Sequence, residues 1–458
     1  MEDGARDLTL PIAVIGGGWA GCAAAATLAR AGLPVVLYEA APVLGGRARR
    51  VDRDGLPLDN GQHLLLGAYT DTLALLRALD PSGASTRDLI RLPLTLAPFA
   101  PGQPDALMLK VRRWPGRLGL LAGLLLARGL AWPERRANVT WFRQLERNDF
   151  RCPPNQTVAQ LLAALPPRVA RLLWEPLCIA ALNTPAAAAS AQVFANVLRA
   201  AFGGGREASD FLVPATDLGA LLPDVTARFL AVHGGQCERE ARAQVVSAAR
   251  DGVVLAVHGQ VRRAAATIVA VGPHQLPRAF ASEAMTRSRA LAAAVDALQT
   301  LDYEPIVTVW LGYVATVSLP QRVARLDDSP GQWVFDRRDV LDRAAESRSR
   351  PPLASLLSVV ISTGGPHVQL SHAELAQQVD AQLRRLRPTL PPCVWSWVVA
   401  ERRATYACTP QRAPPAGPRL GAGLYLAGDY VDAEFPATLE AAVRSGIAAA
   451  RAVQQDRG

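Results

Sequence analysis

The stretch Ile12-Ala13-Val14-Ile15-Gly16-Gly17-Gly18-Trp19-Ala20-Gly21 leaves the chain little choice of fold. An apolar run of strand character ends in Gly16-x-Gly18-x-x-Gly21, and an alanine-rich helical run over residues 22–31 follows at once. A glycine turn between strand and helix is the setting that a dinucleotide's pyrophosphate requires. Gly16 allows the tight turn, Gly18 lets backbone amides approach phosphate, and Gly21 lets helix and strand pack closely. The phosphates then meet a helix N-terminus, whose unpaired N–H groups and positive dipole end favour an anion. A second strand, Pro34-Val35-Val36-Leu37-Tyr38, ends at Glu39, where a carboxylate can accept hydrogen bonds from a ribose.

The rest of the chain narrows the class. At 458 residues it can bury a large core, and two domains are expected. The net charge of +9 is carried almost wholly by arginine, with Lys110 the only lysine. These arginines are scattered and lack an aromatic platform, so no nucleic-acid partner is expected, while a basic face towards anionic lipid stays open. Six cysteines (Cys22, Cys152, Cys178, Cys237, Cys393, Cys408) show no CxxC spacing. They read as reduced, mostly buried thiols of a cytoplasmic chain with no metal site. No signal peptide is expected ahead of the first strand. The longest uncharged apolar run, 118–127, falls short of the about 20 residues a membrane span needs.

Beyond Glu39 lies a second glycine pair, Gly45-Gly46, followed by Arg47-Ala48-Arg49. A planar guanidinium matches a phosphate or a flavin-side oxygen by its fork of donors. Near the C-terminus a strand, Leu424-Tyr425-Leu426, runs into Gly428-Asp429, where a carboxylate can bind ribityl hydroxyls. Pro436-Ala437-Thr438-Leu439-Glu440-Ala441-Ala442-Val443-Arg444-Ser445-Gly446 then opens a helix. On these two ends the chain resembles the FAD-dependent amine oxidase and phytoene desaturase superfamily. The resemblance implies FAD as cofactor, held by Gly16, Gly18, Gly21, Glu39, Gly46, Arg47, Gly428, Asp429, Thr438 and Leu439. It also implies a backbone contact to adenine from Ala243, with Val245 equally eligible. The last helix would point its N-terminus at the flavin N1/C2 carbonyl edge, where its dipole favours negative charge. The fold class expected is α/β, a Rossmann-type FAD-binding domain with an interleaved α+β substrate domain. Residues 1–84, 231–284 and 401–458 are assigned to the first, 85–230 and 285–400 to the second.

Two further stretches carry a narrower likeness. Leu58-Asp59-Asn60-Gly61-Gln62-His63-Leu64-Leu65-Leu66-Gly67-Ala68-Tyr69 sets a polar cluster between apolar runs. Turn chemistry explains Asp59-Asn60-Gly61 but gives Gln62 and His63 no task. Trp174-Glu175-Pro176-Leu177-Cys178-Ile179-Ala180-Ala181-Leu182-Asn183-Thr184-Pro185 is the second. Both resemble the squalene-associated subgroup, the hydroxysqualene dehydroxylases. Glu175 reads either as a helix-end charge or as a carboxyl lining an apolar cavity, where desolvation would raise its pKa.

Between about residues 85 and 230 strand and helix cease to alternate, and proline-rich breaks at 93–104 and 151–155 separate mainly helical segments. Within this block, 112–136 joins an apolar run to Trp114, Trp132 and flanking arginines. That is the pattern of a helix lying in a membrane interface, and equally of a buried helix with basic ends. Further on, strands are expected at 237–246 and 253–257 around an Asp251-Gly252 hairpin, and at 266–271. Residues 306–311, 333–335 and 356–362 read as strands that could floor a lipophilic pocket.

Three activities share such a cradle. Amine oxidases usually place a lysine, through a water, near the flavin in the second half of the chain, and this second half has none. A carotenoid-type desaturase is the second. The two subgroup-like segments favour the third, reductive dehydroxylation of hydroxysqualene to squalene in squalene and hopanoid biosynthesis. Its expected mechanism delivers hydride from reduced flavin N5 to an allylic cation once an acid has helped the hydroxyl leave as water. His63 is the first candidate acid, Asp59 its orienting partner, and Glu175 the reserve. A non-catalytic reading makes the chain a flavin-bearing scaffold for a prenyl synthase. The partners implied are a lipophilic isoprenoid, upstream prenyl synthases and, through 112–136, the inner face of the cytoplasmic membrane.

Overall fold

Two sheets position everything that follows. The computed structural model describes residues 10–100, 106–114, 117–249, 251–345, 351–412, 415 and 417–457. Residues 115 and 116, which fall within the basic–aromatic segment, lie outside the described residues, as do 101–104 of the first proline-rich break.

The first sheet has six strands. β1 (Ile12–Ile15), α1 (Trp19–Arg30) and β2 (Val35–Tyr38) form the strand–helix–strand unit expected from the glycine turn. β1 lies between β2 and the strand Ala266–Val269, all parallel. Gln236–Glu238 extends the sheet beyond β2, and Leu424–Leu426 extends it on the other side, with Arg419–Gly421 as an antiparallel edge. Every residue of β1, β2 and Ala266–Val269 is buried, as a parallel sheet covered on both faces demands. The alanines of α1 allow close helix packing against the C-terminal helix, Leu439–Arg457. At their crossing a Cβ on Gly446 would stand 2.1 Å from the Ala20 carbonyl oxygen, so only glycine fits.

Three expectations shift. The strand expected at 237–246 divides. Gln236–Glu238 stays in the parallel sheet, whereas Ala243–Ala249 joins Gly252–Val257 and Gln260–Ala264 in a separate antiparallel one. The break is a turn with Glu240 at φ 56, tied back by backbone bonds from Glu240 to Ala41 and from Ala241 to Glu39. The boundary at 231 also moves, because the helix Pro223–Val232 already packs on α1, with Val225 and Leu230 in the core beneath β1. The boundary at 401 falls inside the strand Trp395–Tyr406, which pairs with Tyr303–Tyr313 along both its halves.

That pair belongs to the second sheet, five antiparallel strands in the order Val323–Arg325, Trp333–Asp336, Ser355–Ser362, Tyr303–Tyr313, Trp395–Tyr406. Strand periodicity gives it two distinct faces. Val334 and Val359 share a core with the helix His372–Leu386, while Trp333, Phe335 and Val360 point into a cavity. The block from 85 to 230 is mainly helical. Its strands Leu89–Leu92 and Phe211–Pro214 pair with each other, and the latter also with Leu65–Leu66. No helix among the described residues is long and apolar enough to cross a membrane.

Candidate active site

A single cavity of about 960 Å³ runs from the glycine turn to the apolar face of the second sheet. At its first end, the three glycines differ in what surrounds them. Gly16 has φ +106, and a Cβ there would strike the Ala270 carbonyl at 2.7 Å. A Cβ on Gly21 would lie 1.8 Å from the Gly16 carbonyl oxygen. Gly18 is open: within 4 Å its Cβ would meet only the Gly46 Cα, and the rest of its surroundings is cavity. Gly18 is also the N-cap of α1 and offers no side-chain cap, which leaves the first N–H groups free for an anion.

Glu39 follows β2 on the cavity wall. Its Oε2 accepts the Gly17 N–H at 2.7 Å and its Oε1 the Ala41 N–H at 2.8 Å, so the carboxylate is held with lone pairs to spare. Gly46, at φ +60, approaches Gly18 across the cradle. Arg47 donates to Asp429 Oδ1 at 2.6 Å and to the Ala404 carbonyl at 2.8 Å, linking the N-terminal glycine pair to the C-terminal signature. Asp429 is buried, and Gly428 donates to Ser445 Oγ on the last helix. Thr438 caps that helix by accepting the Ala441 N–H, and Thr438 and Leu439 both face the cavity. Ala243 lines the cavity as well, whereas Val245 is fully buried behind it. His274 Nδ1, on the same wall, is buried without a hydrogen-bond partner among the described residues. An open glycine, an uncapped helix end, a presented carboxylate and an orphaned nitrogen together fit a dinucleotide cofactor.

The far end is greasy. Leu64, Leu177, Phe194, Phe202, Trp333 and Phe335 are among the side chains enclosing it, with His63 at its polar margin. His63 Nδ1 lies 2.9 Å from the Gly61 carbonyl, a contact that requires the proton on Nδ1 and leaves Nε2 as an acceptor. Burial lowers the His63 pKa to about 4, and the Arg337 and Arg47 charges push the same way. The resting imidazole is neutral.

Asp59 does not orient it. This carboxyl is buried at the end of the strand Leu56–Asp59, where its Oδ1 accepts the Leu218 N–H at 2.7 Å. Burial pushes its pKa up, against the pull of Arg337. Glu175 does not reach the cavity either. On the helix Glu175–Leu182 the cavity side is Leu177, Ala180 and Ala181. A residue two places before Leu177 stands about 200° around the axis, on the opposite face.

The sequence gives no sign of what holds the loop. Gln62 donates its backbone N–H to Thr308 Oγ1 at 3.0 Å and its side-chain amide to the His63 carbonyl at 2.7 Å. Its Oε1 accepts from Arg337 at 2.7 Å and from Ser358 at 2.8 Å. Arg337 is 1 % exposed, stacks over Trp310, and is pulled down in pKa by burial against the opposing charge of Asp59. Glu440, in the C-terminal segment, is a second buried anchor. Its buried carboxylate accepts the Asp71 and Thr72 N–H groups and the Thr72 hydroxyl, capping the helix Thr70–Leu79. Asn183, at φ 46, ties its helix end to Glu304, Pro305, Thr363 and Thr405. All six cysteines are free thiols, three of them buried. No group of three or more metal-ligating side chains occurs among the described residues.

Residues 19–454 match the family described as flavin containing amine oxidoreductase. A protein of Rhodopseudomonas palustris named hydroxysqualene dehydroxylase is 29% identical over 454 residues, covering 95% of this chain and 96% of that one. One of the same name from Sinorhizobium fredii is 27% identical over the same shares. A probable zeta-carotene desaturase of Synechococcus elongatus is 25% identical over 96% of this chain and 98% of its own. Among solved structures, an oxidoreductase from Methanosarcina mazei superposes with a TM-score of 0.73 at 16% identity, over 97% of this chain and 100% of that one. Cyclohexylamine oxidase from Brevibacterium oxydans superposes at 0.67 and 15%, over 98% and 99%. At such identities the superpositions establish the fold alone.

Proposed function

The chain belongs to the flavin containing amine oxidoreductase family, as an FAD-dependent oxidoreductase, and from that premise we propose that it reductively dehydroxylates hydroxysqualene to squalene. The observation that carries this reading is a cavity continuous with the cofactor cradle, whose far part is lined by Leu64, Leu177, Phe194, Phe202, Trp333 and Phe335 and reached by the His63 imidazole. Full-length relatives that bear the dehydroxylase name support it.

FAD would be held by the open Gly18–Gly46 approach, the Glu39 carboxylate, the Arg47–Asp429 pair and the helix start at Thr438 and Leu439. When bound in reduced form, it supplies the two electrons that replace a C–O bond with C–H. The chain's own residues do the rest. The hydrocarbon walls exclude water that would otherwise capture an allylic cation. Nε2 of His63 is the atom offered to the substrate hydroxyl, and the Gln62–Arg337–Ser358 network fixes where it points. Loaded with a proton, His63 would be a strong acid, because burial disfavours its charged form. The hydroxyl takes that proton and leaves as water. Under this reading the lipophilic isoprenoid comes from a membrane met by the 112–136 segment, on the inner face of the cytoplasmic membrane, and prenyl synthases supply it.

The test is anaerobic mixing of photoreduced holoenzyme with hydroxysqualene. Flavin reoxidation and squalene should appear together, mole for mole. A second reading, a carotenoid-type desaturase, is favoured by the full-length desaturase relative. Reduction of the oxidised enzyme by phytoene or another polyene, with no response to hydroxysqualene, would establish it instead.

A further inference from the structure

The face formed by residues 108–114 and 117–136 combines exposed apolar side chains with basic ones. Trp114, Leu118, Leu126 and Trp132 are 47–60% exposed, and Arg112 stacks its guanidinium over Trp114. The helix Leu118–Leu126 reaches this position because Gly119 lets it touch the preceding chain: a Cβ there would be 1.8 Å from the Arg112 carbonyl oxygen. Indoles and arginines beside aliphatic side chains match the headgroup zone of an anionic bilayer.

Arg113 sits in this face but turns its fork inward. Its Nη2 lies 2.7 Å from Asp210 Oδ2, and Asp210 is buried while Arg113 is 41% exposed. Asp210 ends a strap, residues 203–210, that crosses from the helix Ala191–Gly203 to the strand Phe211–Pro214. The strap begins with three exposed glycines, which give its backbone freedom. Phe202 before it, Ser209 within it and Phe211 after it line the chamber. Arg91 is a second cation on the same carboxylate, at 3.5 Å, and also donates to the Glu207 carbonyl.

We infer that Arg113 couples membrane docking to the chamber: an anionic lipid phosphate takes its guanidinium from Asp210, and the strap loosens where the bilayer meets the protein. This rests on the membrane reading of the 112–136 segment. A guanidinium fork pairs with phosphate as readily as with carboxylate. Removing the sole partner of a buried carboxylate would be strongly unfavourable, and Arg91 removes that obstacle by keeping Asp210 compensated. The exchange therefore frees one of the two cations on the carboxylate, leaves the Gly67 backbone bond and the Arg91 contacts in place, and leaves no buried charge alone.

Hydrogen–deuterium exchange of the FAD-loaded enzyme, without any isoprenoid, tests this. On vesicles of phosphatidylcholine with phosphatidylglycerol, amides of 203–210 should exchange several-fold faster than in solution, and those of the parallel sheet should not change. Arg113→Gln, at an exposed position, should exchange fast in solution and gain nothing further on vesicles. Arg113→Lys should retain the response in weakened form. An unchanged strap in the bound wild-type protein, a slow strap in Arg113→Gln, or absence of vesicle binding each overturns the inference. Because no substrate is present, an error in the assigned reaction leaves this result untouched, and failure here leaves the dehydroxylase reading standing.

Discussion

The two ends of the cavity are built in opposite ways. The phosphate end of the cradle is made chiefly of backbone, glycines and an uncapped helix end, with the Glu39 carboxylate and the Arg47–Asp429 tie as its side-chain elements. The loop bearing His63 is made of side chains held from far away, with Arg337 reaching Gln62 from 275 positions along the chain. Backbone recognition tolerates no added atom, whereas the loop depends on every buried polar group finding its partner. The two ends should therefore fail differently when altered.

The cradle should fail hardest. Gly21→Ala forces a methyl onto the Gly16 carbonyl and should cost about 3 kcal/mol or more, seen as insoluble or colourless protein with a lowered melting point. Gly18→Ala sharpens the contrast, because its methyl enters open cavity. That variant should fold normally and lose flavin affinity by more than about tenfold, a loss of some 1.4 kcal/mol, read by titration of the visible band. A Gly18→Ala protein that binds FAD as well as wild type would remove the distinction between the two glycines.

At the other end, Arg337→Met leaves Gln62 Oε1 and the Pro214 carbonyl without their buried donor, takes a favourable charge from Asp59, and should destabilise by about 1–3 kcal/mol. Adding Asp59→Asn should recover part of that loss in a double-mutant cycle of denaturation midpoints. Strict additivity would show that the two groups do not interact. His63→Ala should bind FAD normally, while single-turnover rates fall by about 10²–10⁴. Unchanged turnover would remove the imidazole from the chemistry.

The pH dependence separates donor from acceptor. With a pKa of about 4, His63 is protonated in roughly one molecule in a thousand at pH 7. If the imidazolium delivers the proton, kcat/KM should climb about tenfold for each unit that pH falls towards 5. A flat profile would leave His63 only as a hydrogen-bond acceptor. The linkage to stability has the same origin. A histidine with its pKa depressed in the fold favours folding above pH 6.5, and that contribution is lost as pH falls towards 4. Smallest of all, Glu175→Gln should change turnover less than about twofold, since the carboxyl faces away from the cavity.

What could be read from the sequence follows the same divide. Gly16 and Gly21 declare their tasks by spacing, because each answers a local steric demand, against the Ala270 carbonyl and the Gly16 carbonyl respectively, while Gly18 between them faces open space. The strand–helix–strand order and the parallel pairing of β1 and β2 were legible for the same reason. Asp59 turns to the Leu218 N–H and not to His63, since adjacency in a loop says nothing about which way a side chain points at a strand end. Arg337 was invisible, since an arginine among so many gives no sign that it is buried. The division of the strand expected at 237–246 had one local sign, the charged run Glu238-Arg239-Glu240, which is easily passed over because Cys237 and the apolar residues from Ala241 onwards keep the same phase on either side of it.

The most direct measurement is the mass of squalene formed in one anaerobic turnover by photoreduced holoenzyme in D₂O. The account requires one deuterium per squalene, on the carbon that carried the hydroxyl, for each flavin reoxidised. Flavin reoxidation without squalene, or squalene free of deuterium at that carbon, would contradict it.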